Sequence, residues 1–230
     1  MTWPLPPTLE WAKFLRLLRH PAPPRGWLEA AAELADLQKR PLLLRWIAQH
    51  PKAPAHLRAR LLPRLPWRAL AAVAQDASAH PQARAFATDR LKSMWAGLTL
   101  GERRSLAPQT PKPLWLLVWK DKDEGVLKAF MQNPRLYEDP LLGLLHAPFH
   151  SAQLAALESS RFKEQEALAR RVLEVLDQSF AFPECPLVLG QAAFWIRALS
   201  REQRLVVSTG LRHPALRRMV RAHSEAVPDD

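Results

Sequence analysis

Trp115, Trp119 and Asp123 follow one another at four-residue steps, and Trp195 stands far downstream. On a helix, that spacing gathers side chains on one face. The face of an indole attracts a cation, and a carboxylate one turn away would hold the same charge. The group therefore has the chemistry to bind a positively charged aromatic base. The competing reading is structural, with Trp115 and Trp119 as core anchors one turn apart. Asp121, Asp123 and Glu124 are expected to open a helix, where acids face the positive end of the dipole, and Glu164 and Glu166 to lie on a polar face. Neither set of carboxylates requires an acid–base role.

The eight histidines raise the question of metal binding. His20, His50, His80 and His213 each precede proline, which sets them at helix ends. There an imidazole can meet unpaired carbonyls and the negative pole of the dipole. His146 and His150 are four apart, but Pro148 interrupts the helix that would align them as ligands. The single cysteine, Cys185, lies between Pro183 and Pro186, so neither a CxxC pair nor an intrachain disulfide is available. With seven glycines the chain contains no GxSxG elbow and no GxxxxGK phosphate loop. No metal, no cofactor and no catalytic residue are expected.

Charge is more informative. The formal net charge is +11, and Arg outnumbers Lys 24 to 9. Residues 1–120 hold 19 basic and 7 acidic side chains, whereas residues 121–230 hold 14 and 15, so the whole excess lies in the first half. Between Asp36 and Asp76 the sequence carries Lys39, Arg40, Arg45, Lys52, Arg58, Arg60, Arg64 and Arg68 and no acid, with Trp46 and Trp67 interleaved. Codon bias adds arginines, but it does not remove every carboxylate from one segment. A basic face of this kind attracts an acidic protein or a phosphate backbone. Its bland counterpart is a solvated face whose arginine stems cover apolar surface.

The elements that must position these groups read as helices throughout. Trp11, Phe14, Leu15 and Leu18 recur at three- and four-residue spacing, and similar stripes run through Leu42–Gln49, Leu57–Leu62, Val126–Gln132, Glu164–Leu176 and Leu187–Leu199. Proline falls between them again and again, where it fits a first turn and breaks an interior. Thr99–Glu102 and Ser200–Gln203 match capping boxes. His-Pro recurs at His20, His50 and His80, a constant step of thirty, with Asn133-Pro134 and His213-Pro214 as later relatives. Helices this short cannot hide an apolar face alone, but stacked neighbours can.

The segments IAQHPKAPAHLRARLL (Ile47–Leu62) and FMQNPRLYEDPLLGLL (Phe130–Leu145) share one form: an apolar helix, His-Pro or Asn-Pro, a short spacer and a second helix. That form resembles bacterial HEAT-like repeats of the leucine-rich-repeat-variant type. The resemblance implies an all-α, α-solenoid fold, a right-handed superhelix of antiparallel helix pairs used mostly for protein contacts. A family of DNA glycosylases for alkylated purines is also built from HEAT-like repeats and pairs aromatic side chains with an aspartate. Resemblance to it would give Trp115, Trp119, Asp123 and Trp195 a base-binding role.

The expectation is thus one repeat domain over residues 1–223, basic over 1–120 and near neutral over 121–223, with a frayed tail over 224–230. Its expected work is non-catalytic scaffolding of an acidic partner, protein or nucleic acid, through the Lys39–Arg68 face. A glycosylase and a subunit of a larger assembly are the alternatives. No signal-peptide order is visible, and the apolar runs Leu114–Trp119 and Leu141–Leu145 fall far short of the ~20 residues a membrane span needs. A cytoplasmic protein without membrane insertion is expected.

Overall fold

The structure, a computed structural model, describes residues 11–34, 39–182, 187 and 189–225. Cys185 and its flanking prolines, and residues 226–230 of the expected tail, lie outside the described residues. Among the described residues no strand occurs, and no helix is long and apolar enough to cross a membrane. The chain is all-α.

Its α-helices are α1 Trp11–Leu18, α2 Trp27–Ala32, α3 Pro41–Gln49, α4 Ala55–Leu61, α5 Trp67–Gln75, α6 Pro81–Met94, α7 Leu100–Leu106, α8 Trp115–Trp119, α9 Glu124–Met131, α10 Glu138–Leu144, α11 Ser151–Glu158, α12 Glu166–Ser179, α13 Ala192–Arg197, α14 Arg201–Gly210 and α15 Pro214–Glu225. The last runs two residues past the expected domain end, with Ser224 buried and its hydroxyl donating to Val220 O. Over Leu187–Leu199 the regular helix is shorter than its stripe: a 3₁₀ turn at Leu189–Gln191 leads into α13.

Helix starts follow local chemistry. Pro41 and Pro81 open α3 and α6, where the missing N–H costs nothing. Thr99 and Glu102 cap reciprocally: the carboxylate accepts from Thr99 N at 2.9 Å, and Glu102 N donates to Thr99 Oγ1 at 3.3 Å. The box expected at Ser200 is only half of that kind. Ser200 Oγ accepts from Gln203 N, while Ser200 N donates to Glu166 Oε1 at 2.9 Å instead. A carboxylate from a helix 34 residues earlier has taken the place of the local side chain.

The His-Pro step of thirty has a structural cause. Nδ1 of His20, His50 and His80 accepts from the backbone N–H two residues on, at 3.2, 3.0 and 3.2 Å. Asn133 Oδ1 does the same for Arg135 N at 3.0 Å, which makes Asn-Pro a chemical variant of the same turn. A ring whose Nδ1 accepts must carry its proton on Nε2. His50 therefore donates from Nε2 to His20 O at 2.9 Å, tying one turn to its predecessor.

The chain divides into two compact units. The first comprises Met1–Glu102 with Gln109–Leu114. Here α3 packs on α2, α4, α5 and α6, and α5 on α6. Leu44, Ile47, Leu57, Leu61, Leu70, Val73, Ala83, Ala87 and Leu91 fill the interior. The second comprises Arg103–Pro108 with Trp115–Asp230. There α8 touches α10, α10 touches α12 and α12 touches α14, while α9 touches α11 and α13 touches α15. Alternate helices thus neighbour one another. Each fully buried leucine or phenylalanine contributes about 1.5–3 kcal/mol.

Candidate basic interface

Eight basic residues of the carboxylate-free segment are described, and they do not form one uniform face. Lys39 and Arg40 are exposed ahead of α3, Lys52 is exposed in the turn after it, and Arg64 and Arg68 are exposed before and on α5. Arg60, on α4, is exposed and pairs with Glu33 at 2.5 Å. Arg58 is different: it is 7% exposed, and its guanidinium donates to Ala53 O. Burial holds its pKa below the usual arginine range. It is a turn brace rather than a contact residue. Its position one residue from Leu57 and four before Leu62 placed it on the apolar stripe of α4 from the outset.

Two tryptophans carry guanidinium groups. Arg68 lies over Trp67 at 5.1 Å, while the Trp67 indole N–H donates to Glu102 at 3.0 Å. At Trp46 the arrangement is denser, because Arg19 and Arg45 lie 4.1 and 4.6 Å from the indole centroid. Arg45 is half-buried and its Nε has no acceptor among the described residues. Burial lowers its pKa first and repulsion from Arg19 second, with Asp76 opposing both. Arg19, Trp46, His50 and Asp76 line a cleft of about 350 Å³. Asp76 is already engaged by Ser78, which donates both N–H and Oγ–H to its Oδ1.

Sequence reading missed Arg19, because it lies upstream of Glu29, Glu33 and Asp36. The signal was nevertheless there. Arg19 precedes His20-Pro21 as Gln49 precedes His50-Pro51, so the step of thirty sets α1 and α3 in register.

The second group of candidate residues is packed rather than open. Trp115, Trp119 and Trp195 are 4%, 2% and 0% exposed. Trp115 meets Phe130 edge-on at 6.2 Å, Trp119 meets Phe149 at 6.3 Å and Trp195 meets Phe194 at 5.1 Å. None offers an open ring face. Asp123 is the N-cap of α9: its Oδ1 accepts from Val126 N at 2.8 Å, and both oxygens take the Arg104 guanidinium at 3.2 Å. Arg104 is the main cause of a carboxyl pKa below the usual range. The structure does not bring these four residues together around a cavity that could take a base.

Among the described residues no three His, Cys, Asp or Glu side chains gather as a metal site. Comparison with known proteins yields no matching family model, no similar curated protein and no similar solved structure.

Proposed function

We propose that the chain is a non-catalytic interaction module that holds an acidic partner on its basic half. The observation that carries this reading is Trp46, which lines the cleft beside Arg19 and has both the Arg19 and the Arg45 guanidinium against its indole, neither in an ion pair among the described residues. Arg45 is partly desolvated and repelled by Arg19, Asp76 offsets this only in part, and an incoming carboxylate or phosphate would offset more of it. Guanidinium groups bind either anion in a two-pronged geometry. Exposed Lys52 and Arg68 extend the positive surface.

The α-solenoid reading belongs to the same proposal. It is supported by the contacts between alternate helices and by the side-chain hydrogen bonds that link distant positions. A group of those bonds recurs at separations of 28–36 residues: His50 to His20, Trp67 to Glu102, Arg161 to Asn133, Gln153 to Trp119 and His213 to Asp177. One helix pair braced on the next produces that interval.

Fluorescence anisotropy tests the binding claim, with a labelled polyglutamate peptide and labelled duplex and single-stranded DNA and RNA. At least one polyanion should bind at low salt, and Arg19→Glu with Arg45→Glu should weaken it about tenfold or more. Lys52→Glu with Arg68→Glu, both exposed, serves as a second variant should Arg45→Glu fail to fold. No binding of any polyanion at low salt would refute the proposal. The polyanion that binds best decides between protein and nucleic acid.

A further inference from the structure

The second unit contains a cavity of about 650 Å³ that the basic cleft does not involve. Phe180 and Phe182 line it from the end of α12, His146 from the turn after α10, and Arg212 and His213 from the turn between α14 and α15. That volume is in the range of about 300–1,000 Å³ typical of small-molecule sites.

Its lining is selective in three ways. Part of the wall is a pair of tilted rings, with the Phe180 and His213 centroids 5.2 Å apart. Phe182 adds a second phenylalanine that is 47% exposed, apolar surface that an occupant could cover. The one lining carboxylate, Asp177, is buried and engaged: it accepts from Arg212 N at 2.9 and 3.0 Å and from His213 N at 2.7 Å. Those bonds hold the α14–α15 turn in place and, among the described residues, leave no free acid in the lining to receive a cation. The donors that remain are complementary to an anion. The Arg212 side chain is exposed and its guanidinium has no acceptor among the described residues. His213 Nδ1 accepts from Leu216 N at 3.4 Å, so its proton sits on Nε2, free to donate.

We propose that this cavity binds a small aromatic carboxylate. The ring lies against Phe180 and Phe182, and the carboxylate is held by Arg212 with the His213 Nε2–H beside it. A monoanion suits one guanidinium in an apolar wall, whereas a phosphate dianion would lose more hydration than a single cation returns. Among the described residues an aromatic cation meets no free carboxylate in this cavity.

The test is a titration of the full chain with 3-phenylpropionate, followed by calorimetry and by amide shifts in proton–nitrogen correlation spectra. The neutral 3-phenylpropanamide and a short peptide ending in phenylalanine are run in parallel. The free acid should bind with a dissociation constant below about 1 mM, and the amide and the peptide about tenfold more weakly. Arg212→Gln, a change at an exposed side chain, should cost about tenfold for the acid and nothing for the amide. Phe182→Ala should weaken both. Absence of acid binding at millimolar concentration would overturn the proposal, as would equal binding of acid and amide or an unchanged affinity in Arg212→Gln. Tighter binding of the peptide would overturn it in favour of a peptide carboxy terminus.

Discussion

Arginine position, not arginine number, decides what each basic side chain does. Arg58 is buried and braces Ala53 O, whereas Lys52 is exposed. Arg58→Ala should therefore lower stability by about 1–3 kcal/mol, since it leaves a carbonyl unpaired and a stem-sized gap, and leave polyanion affinity unchanged once folded. Lys52→Glu should do the reverse; thermal melts and anisotropy on the two variants separate the roles. His50 makes two bonds, to Lys52 N and His20 O. His50→Ala should cost about 1–2 kcal/mol in chemical denaturation, and His50→Asn should restore part of it, because Asn133 already does the capping half of that work. Equal losses in both variants would show that the acceptor at this position is not what matters. At Asp123 the folded-state pKa is depressed, chiefly by Arg104. Its contribution is therefore present above the ordinary aspartate range and lost as pH falls through that range towards the lower folded value. The stability gap between the wild type and Asp123→Asn should be widest at neutral pH and close under acid; a gap that holds constant to low pH would contradict it.

Helices were legible in the sequence because their causes are local. Periodic apolar residues mark the buried stripe, proline marks the first turn, and the Thr99–Glu102 box closes as its spacing requires. The His-Pro turns were legible as a repeat, but not their chemistry. The histidines were expected to meet helix carbonyls; His50 instead meets a turn carbonyl, His20 O, and the bond the three share is the one Nδ1 accepts from the following turn. What stayed hidden was contact at thirty-residue range. Nothing near Ser200 in the chain announces Glu166, and for Arg19 and Trp46 the step of thirty gives the register of α1 and α3 but not the contact, because both pairs depend on how successive helices stack. Gln153 is the same kind of link. Its amide donates to Trp119 O at 2.9 Å and its oxygen accepts from His150 N at 3.1 Å, with the side chain buried. Gln153→Leu should cost about 2–3 kcal/mol in spite of the apolar gain, since it strands two backbone groups; a neutral effect on the denaturation midpoint would remove this bond as a brace between α11 and α8.

At the scale of the whole molecule, the charge asymmetry along the chain is the main functional clue. The basic excess sits in residues 1–120, and within it only some cations are exposed and uncommitted: Arg60 is tied to Glu33 and Arg58 is buried. The aromatic–aspartate group that first suggested base binding is instead core packing and a helix cap, so the reading rests on the cleft at Trp46. The most direct test of that claim is the salt dependence of polyanion binding for the wild type and for Arg19→Glu with Arg45→Glu. On this account affinity falls steeply with salt in the wild type, and the logarithmic slope becomes shallower in the variant as screened contacts are lost. An affinity independent of salt, or a slope identical in both proteins, would contradict it.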